Sequence, residues 1–459
     1  MQIKIKNFFK KFFAPIVVSQ ILSYLERDPE KNLLKMLNWA KRITFSSQHK
    51  SQIDFLIKIF QNGHPSLGLV KKLFNQIHPN CRRSLVNNLF IKQALLGKAK
   101  RMDYLKKHGL YPPFFMVISP TMRCNLHCYG CYAGEYAKES DLPLGLFRRV
   151  LKEGQELGMH FLTISGGEPF VYEGIWEIFE EFQGISFLVY TNGTFIDKEV
   201  ADCLARLGNV APAISVEGFE EETDRRRGKG TWKKIMEAMD SLNKVGCLFG
   251  FSATYTRENT EILASEKFID LMIEKGCSFG WFFHYIPIGR KPTLELMPHP
   301  EQRDKMRRFA LWVRKTKPIF VADFWNDGAL SLGCMAGGKM YLHILNSGDV
   351  SPCVFVPFGV GNIKEKSLVE ILNCPFFKGV REAQPFSENH LRPCMIIDHP
   401  HKLREFCQKY NAYPLYPDAL RLLGELAPSL EQNAQDYGKL AEKAWNSPEY
   451  NWAKDHNLL

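Results

Sequence analysis

The chain has 459 residues, which is more than one ordinary domain, and its 45% apolar content is normal for a soluble protein. No apolar run approaches the roughly 20 residues that a transmembrane helix needs, so we do not expect the chain to span a bilayer. Twelve cysteines without a cleavable secretory signal argue against a disulfide scaffold and favour a reducing compartment, which predicts a cytoplasmic location.

Positive charge is concentrated in the first quarter of the chain. Residues 1–110 contain 21 Lys and Arg against 5 Asp and Glu, whereas the remainder contains 39 against 44. Within this segment, residues 20–107 have the pattern of several amphipathic helices, with breaks at residues 62–65 and 78–80. We therefore expect residues 1–110 to form a basic α-helical N-terminal domain.

Residues 3–13 interleave four lysines with phenylalanines and include no acidic residue. The helical spacing of the apolar residues predicts an interfacial helix whose lysines meet anionic headgroups, which would place the protein peripherally on the inner face of the membrane. Packing of the phenylalanines on the protein's own core explains the pattern equally well. Nucleic acid is a weaker candidate partner, because no recognisable RNA- or DNA-binding module accompanies the basic residues.

Three closely spaced cysteines, Cys124, Cys128 and Cys131, follow an apolar run at residues 114–120 that predicts a buried strand. Thiolates with this spacing can hold three corners of a four-iron cluster, which leaves one iron open to a substrate or cofactor. A zinc site or three unrelated thiols would be the alternative.

A second motif ends the next predicted strand, residues 161–165, one strand–helix unit downstream. It consists of Gly166, Gly167, Glu168 and Pro169. Two glycines expose backbone N–H and C=O groups, and one carboxylate can pair with an ammonium group, so this segment predicts a binding site for an amino acid. The presence of such a site beside the cysteines argues against the zinc alternative.

Together these two motifs resemble those of the radical S-adenosylmethionine (SAM) superfamily. The resemblance implies that the cysteines bind a [4Fe-4S] cluster and that residues 166–169 hold the methionine amino group of SAM. It further implies reductive cleavage of SAM to a 5′-deoxyadenosyl radical, hydrogen abstraction from a substrate, and a reductant such as flavodoxin or ferredoxin. The family usually has an aromatic residue immediately before the third cysteine, where this chain has Gly130.

Four further strand-like runs include residues 190–194, 213–218, 251–256 and 281–286, with helical stretches between them. This alternation predicts an α/β fold, a partial (β/α)6 TIM-like barrel over residues 111–320, with active-site residues at the carboxyl ends of the strands. The resemblance implies that Thr191 and Asn192 lie beside the nucleoside and that Ser215 and Glu217 approach the ribose or carboxylate of SAM. Arg227 would pair with that carboxylate, although a solvated basic turn explains it equally well.

A second set of cysteines, Cys334, Cys353 and Cys394, lies in Gly- or Pro-rich loops. Their context resembles the SPASM or Twitch extension, which holds auxiliary iron–sulfur clusters, so residues 321–402 are expected to form a small auxiliary domain and residues 403–459 a helical tail. The dense run of four cysteines that ends a full SPASM pattern is absent, so we expect one auxiliary [4Fe-4S] cluster. The candidates for its fourth ligand are Cys407 as the nearest, an open iron, Cys374, Asp398 and His399.

Three functional hypotheses follow. The first is a radical SAM enzyme acting on a lipid or membrane-bound precursor, which the N-terminal segment favours. The second is a peptide or protein maturase, because SPASM-type extensions are frequent in that group. The third is a non-enzymatic iron–sulfur electron carrier or sensor, which is disfavoured because a carrier needs no amino-acid site.

Overall fold

The structure is a computed structural model that describes residues 20, 23–43 and 47–454. The predicted interfacial helix at residues 3–16 lies outside this range. Within the described residues, no helix is both long and apolar enough to cross a membrane.

The N-terminal part of the described chain is helical. The first predicted break, at residues 62–65, lies between helices that end at Gln61 and begin at Ser66, whereas the second lies at residues 76–78, slightly before the predicted 78–80. Pro79 starts the next helix, because its fixed φ suits a first turn and its missing N–H would have had no partner there. The elements are α1 (Pro29–Ile43), α2 (Ser47–Gln61), α3 (Ser66–Asn75), α4 (Pro79–Ser84), a π-helix (Leu85–Gly97) and α5 (Lys98–His108).

A parallel sheet forms the centre of the molecule, and all six predicted strands are present. They are β1 (Met116–Ile118), β2 (Phe161–Ile164), β3 (Ser186–Thr191), β4 (Val210–Ser215), β5 (Gly250–Tyr255) and β6 (Phe279–His284). Each strand pairs with its successor in parallel, and an unpredicted strand, β7 (Phe320–Asp323), extends the sheet beyond β6. The intervening helices are α6 (Leu144–Glu156), α7 (Ile175–Glu181), α8 (Lys198–Leu207), α9 (Glu220–Arg227), α10 (Thr231–Lys244), α11 (Thr260–Leu263), α12 (Glu266–Glu274) and α13 (Pro300–Thr316).

The sheet continues into the predicted auxiliary region. Strand β8 (His343–Ile344) pairs in parallel with β1, and β9 (Val350–Ser351) pairs antiparallel with β8. The strand order is therefore β7-β6-β5-β4-β3-β2-β1-β8-β9, so β7 and β9 do not pair with each other and the curved sheet is not a closed barrel. The remaining elements are α14 (Gly328–Ser331), β10 (Phe358–Gly359), α15 (Leu368–Leu372), α16 (Pro375–Ala383), α17 (Pro400–Lys409), β11 (Tyr413–Pro414), α18 (Ala427–Trp445) and α19 (Asn451–Lys454).

The two faces of the sheet have different surroundings. On the outer face, alternate residues such as Leu162 and Ile164 are fully buried in the main hydrophobic core beneath the helices. On the inner face, the intervening positions such as Thr163 line a cavity of about 350 Å³. Because successive side chains of a strand point to opposite faces, each strand contributes to both the core and the cavity.

Candidate active site

The cavity inside the curved sheet extends over the height of the strands. Phe161, Leu188 and Trp281 line it from near the amino ends of their strands, whereas Ser165 and Ser215 line it from the carboxyl ends. All three cysteines of the predicted cluster loop also line it. The carboxyl ends therefore bring the predicted motifs together, as expected for parallel strands.

The cysteine loop is held in place by backbone and side-chain contacts. The Sγ of Cys124 accepts hydrogen bonds from the Leu126 N–H at 3.4 Å and from the Asn192 side-chain amide at 3.7 Å. Burial raises the pKa of Cys124 and of Cys131, so these thiols ionise readily only beside a positive partner such as iron. In the described residues, no three His, Cys, Asp or Glu side chains are placed to hold a single metal ion.

The two glycines of the second motif allow close contact with the cysteine loop. A Cβ on Gly167 would lie 2.1 Å from the carbonyl oxygen of Arg123, and a Cβ on Gly166 would lie 2.4 Å from that of Thr121. The N–H of Gly167 donates to Thr121 O at 2.9 Å, and that of Glu168 donates to Arg123 O at 2.8 Å. The N–H groups of Gly167 and Glu168 thus donate to the backbone just before Cys124. From the sequence, the glycines were expected to leave backbone N–H groups exposed for a ligand.

Glu168 is fully buried behind the cavity wall and does not line the cavity, whereas Gly166 and Gly167 do. Its carboxylate accepts hydrogen bonds from Thr191 Oγ1 and the Asn192 N–H, both at 2.7 Å, and from the Phe170 N–H at 3.2 Å. Burial raises the pKa of Glu168 to about 7, although these hydrogen bonds lower it. Pro169, also buried, begins a short 3-10 turn directly after it.

Two arginines at the end of α9 share one carboxylate. Arg226 Nη1 lies 2.6 Å from Glu217 Oε2, and Arg227 Nε donates to Glu217 Oε1 at 2.9 Å. Both arginines line the cavity, but Glu217 does not. Burial lowers the pKa of Arg227, but the charge and hydrogen bond of Glu217, together with the charges of Cys128 and Cys131, raise it by more, so the net pKa is raised. Glu217 thus forms two ion pairs, which together carry one net positive charge beside the cavity, and its contact with SAM stays a prediction.

An aromatic side chain occupies the space beside Gly130. A Cβ on Gly130 would lie 2.8 Å from Cε2 of Tyr285, and Gly130 itself has a φ of +64° that favours glycine. Tyr132 faces the glycine motif, where its hydroxyl lies 2.6 Å from Ser165 Oγ and accepts from the Gly166 N–H at 3.2 Å. Tyr285, from the loop after β6, thus packs directly against Gly130, the residue before Cys131.

The second set of cysteines lines a smaller cavity of about 30 Å³ in the auxiliary region. Cys334, Cys353 and Cys394 all lie in its wall, and burial raises the pKa of each. Phe324, Met335 and Phe355 line both this cavity and the larger one. One layer of side chains therefore separates the two cavities.

The four candidate side chains for a fourth auxiliary ligand lie elsewhere. Cys407, on α17, and Cys374 do not line the smaller cavity. Asp398 is buried and paired with Arg303, and it also accepts from the Cys394 N–H at 2.9 Å. His399 has its Nε2 2.9 Å from the carbonyl oxygen of Arg392. The structure thus brings three of the four predicted auxiliary residues together and leaves Cys407 apart.

Sequence reasoning missed most of the inner lining. Trp281, Phe283 and Tyr285 alternate along β6 and the residue after it, and all three line the cavity. Because every second residue of a strand faces the same side, the positions of Trp281, Phe283 and Tyr285 could have indicated that they share one face. Arg226 was also missed, although it adjoins the predicted Arg227.

Family models match both halves of this site. The model of the radical SAM superfamily matches residues 118–264, and the model of the iron-sulfur cluster-binding SPASM domain matches residues 334–396. The chain is a radical SAM enzyme with a C-terminal SPASM domain. The cofactors of this radical SAM enzyme are a SAM-binding [4Fe-4S] cluster, SAM and an auxiliary cluster, and the hypothesis of a non-enzymatic carrier or sensor is set aside.

Individual relatives of this radical SAM enzyme are distant. An AdoMet-dependent heme synthase of Methanosarcina barkeri is 26% identical over 297 residues, which cover 58% of this chain and 83% of the relative. The mycofactocin maturase MftC of Mycobacterium ulcerans is 26% identical over 350 residues, which cover 71% of this chain and 92% of the relative. The structure of Streptococcus suis SuiB bound to SAM has a TM-score of 0.55 at 20% identity, covering 77% of this chain and 88% of SuiB, and so supports the fold.

Proposed function

We propose that this radical SAM enzyme abstracts hydrogen from an apolar substrate, a lipid or membrane-associated precursor, bound inside the curved sheet. The observation that carries this proposal is the composition of the inner cavity. Beyond the cysteine end it is lined largely by aromatic and aliphatic side chains, including Phe115, Phe161 and Trp281. Its described lining contains no Lys, Asp or Glu, and both of its arginines belong to the cysteine end.

The cysteines that line each cavity indicate where the two clusters would bind. Cys124, Cys128 and Cys131 would hold the first cluster, and Cys334, Cys353 and Cys394 the auxiliary one. Three thiols in the wall of each cavity fit a cluster there, because cysteine thiolates are the usual protein ligands of iron–sulfur clusters. When bound, the first cluster and SAM supply the radical that abstracts hydrogen from the substrate.

The charged groups of SAM would be bound by this chain's own charges. Arg226 and Arg227 line the cavity with one net positive charge after pairing with Glu217, which suits a carboxylate. The ammonium group would meet Gly166 and Gly167 at the cavity and, behind them, the buried Glu168 carboxylate, which has no ion-pair partner within 4 Å among the described residues. Thr191 and Asn192 fix that carboxylate, and Ser215 faces the cavity for the nucleoside side of SAM.

The free energies of burial favour a hydrocarbon over a peptide in the part of the cavity away from the cysteines. Each buried methylene contributes roughly 0.8 kcal/mol, so ten of them in contact with this lining would contribute about 8 kcal/mol. An unpaired peptide N–H or C=O in the same place would cost about 1–3 kcal/mol. The few polar groups there are mainly small hydroxyls such as Thr163, Ser252 and Thr254.

A peptide or protein maturase is the second candidate function. The specific observation in its favour is the alignment with MftC, which is named a maturase and is covered over 92% of its length. A peptide would enter from the cysteine end, where polar groups of the chain are available. The two candidates differ in the chemical class of the substrate that would donate a hydrogen atom to the 5′-deoxyadenosyl radical.

The partners follow from the same proposal. A low-potential reductant such as flavodoxin or ferredoxin would deliver the electron, and the basic phenylalanine-rich segment at residues 3–13 would bind an anionic membrane surface. Deletion of residues 1–18 should then remove binding to phosphatidylglycerol vesicles without changing SAM cleavage in detergent.

The decisive experiment follows isotope transfer. The anaerobically reconstituted enzyme would be reduced with dithionite in the presence of SAM and phosphatidylglycerol carrying perdeuterated acyl chains, in mixed micelles. We expect deuterium in 5′-deoxyadenosine, detected by mass spectrometry. SAM cleavage without deuterium from the lipid, together with deuterium from a perdeuterated peptide, would replace the lipid proposal with the maturase.

A matched pair of variants tests the position of the substrate. Ser252 faces the inner cavity from β5, where it pairs with Ser215 of β4, so SAM affinity is measured together with deuterium transfer. Ser252→Phe should fill the cavity and abolish deuterium transfer, whereas Ser252→Ala should retain it. Both variants should bind the same amount of iron as the wild type, which shows that the loss comes from the cavity and not from unfolding.

A further inference from the structure

The wall between the two cavities contains a direct polar link. The hydroxyl of Tyr341 lies 2.8 Å from Sγ of Cys353. The Tyr341 side chain lines the inner cavity, whereas Cys353 lines the auxiliary one. Tyr341 therefore touches both the space proposed for the substrate and a proposed auxiliary ligand.

The position of Tyr341 is tightly constrained. The residue is 1% exposed, and its ring stacks on Phe115 with centroids 5.1 Å apart and planes at 15°. Its N–H donates to the carbonyl oxygen of Met335 at 3.2 Å. A buried hydroxyl held in this way loses little further entropy when it makes its hydrogen bond.

The geometry points to Tyr341 as a positioning residue that raises the reduction potential of the auxiliary cluster. A cysteine that ligates iron has no thiol proton, so the Tyr341 hydroxyl must be the donor. The Phe355 N–H is a second donor to the same sulfur, at 3.5 Å. Hydrogen bonds to ligand sulfurs stabilise the reduced cluster, which has one more electron, and so make reduction easier.

The consequence concerns electron exchange with the inner cavity. Because Phe324, Met335 and Phe355 are shared between the two cavities, a single layer of side chains lies between a substrate and the auxiliary cluster. The potential of that cluster then decides whether it can exchange an electron with a substrate in the cavity. Tyr341 would set this potential from the substrate side of the wall.

The test is a redox titration of the reconstituted holoenzyme, followed by electron paramagnetic resonance. The auxiliary signal is the one that SAM does not alter. Tyr341→Phe removes only the hydroxyl, and we expect it to make one-electron reduction of the auxiliary cluster about tenfold less favourable, a shift of about 59 mV to more negative potential. Iron content and the SAM-responsive signal should not change.

Two further variants make the result specific. Fluorotyrosine incorporated at position 341 is a stronger donor and should shift the potential in the opposite direction. Tyr172→Phe is the matched control, because the Tyr172 hydroxyl is also buried but donates to the carbonyl oxygen of Leu142 at 2.8 Å. It should leave both signals unchanged. An unchanged auxiliary potential in Tyr341→Phe would overturn the inference, as would loss of the auxiliary iron.

The inference rests on the proposed role of Cys353 as an auxiliary ligand, which a separate variant tests. Cys353→Ala should abolish the auxiliary signal. If the signal persists, the proposed ligand set fails on that result alone. If it disappears while Tyr341→Phe leaves the potential unchanged, the ligand set stands and only the role of Tyr341 fails.

Discussion

Replacing Glu168 with glutamine should make the protein more stable at pH 8 while weakening SAM binding. Glu168 is fully buried and its pKa rises from the ordinary 4.5 to about 7, chiefly because burial disfavours the charged form. At 1.36 kcal/mol for each pKa unit, this rise corresponds to about 3 kcal/mol. Glutamine has nearly the same shape as the protonated acid and has no charge to bury.

The difference in stability between wild type and Glu168→Gln should depend on pH. Below about pH 4.5 the carboxyl is protonated in both the folded and the unfolded chain, so wild type and Glu168→Gln should be equally stable. Between pH 4.5 and about 7 the unfolded chain ionises first, and the stability of the wild type falls. Above pH 7 the variant should be more stable by up to about 3 kcal/mol.

Binding of SAM should change in the opposite direction. Loss of a buried carboxylate partner for the ammonium group costs about 2 kcal/mol or more, which is roughly a 30-fold loss of affinity. Stability is measured by thermal unfolding of the reconstituted protein at pH 5 and pH 8, and affinity by anaerobic calorimetry. Glu180→Gln, at an exposed position on α7, is the control and should change neither quantity.

Two outcomes would refute this reasoning. Equal stability of wild type and Glu168→Gln at both pH values would mean that burial of the charge has no measurable cost. Unchanged SAM affinity, with the stability effect present, would mean that Glu168 only supports Thr191 and Asn192 and does not meet the ammonium group.

Two other variants test the cluster sites. Gly167→Ala places a Cβ 2.1 Å from the carbonyl oxygen of Arg123, so it should displace the cysteine loop and lower the iron content by one cluster, with the auxiliary signal retained; full iron content would contradict the close contact. Cys394→Ala should lose the auxiliary signal, whereas Cys407→Ala should keep it, because Cys407 lies outside the cavity that the other three thiols line. Loss of that signal in both variants would return Cys407 to the ligand set.

The sequence predicted the central sheet and the location of its site. Apolar runs of four to seven residues separated by amphipathic helices specify a parallel sheet, because a strand buried on both faces must be apolar over most of its length. Motifs at the ends of successive runs then meet at one edge, since parallel strands all end on the same side. Local spacing alone therefore placed Cys124 and Gly166 together, although 42 residues separate them.

Some contacts between distant parts of the chain could not be predicted from local sequence patterns. Strand β8 has two residues and joins the sheet through β1, more than two hundred residues earlier in the chain. The partner of Asp398, a candidate iron ligand, is Arg303 in α13, and both charged side chains are buried. Such long-range pairing is decided by packing and charge burial in three dimensions.

The sequence by itself indicated the chemistry of this protein, because Cys124, Cys128, Cys131 and the motif at residues 166–169 carry the resemblance to the radical SAM superfamily that implies its cofactors. Only the tertiary structure decided which side chains surround the cofactor site. The inner cavity takes its aromatic side chains from every second position of several strands, and its wall takes Tyr341 and Phe355 from the auxiliary region. These residues are far apart in sequence, and they acquire a common function only because the sheet curves and brings them to one face.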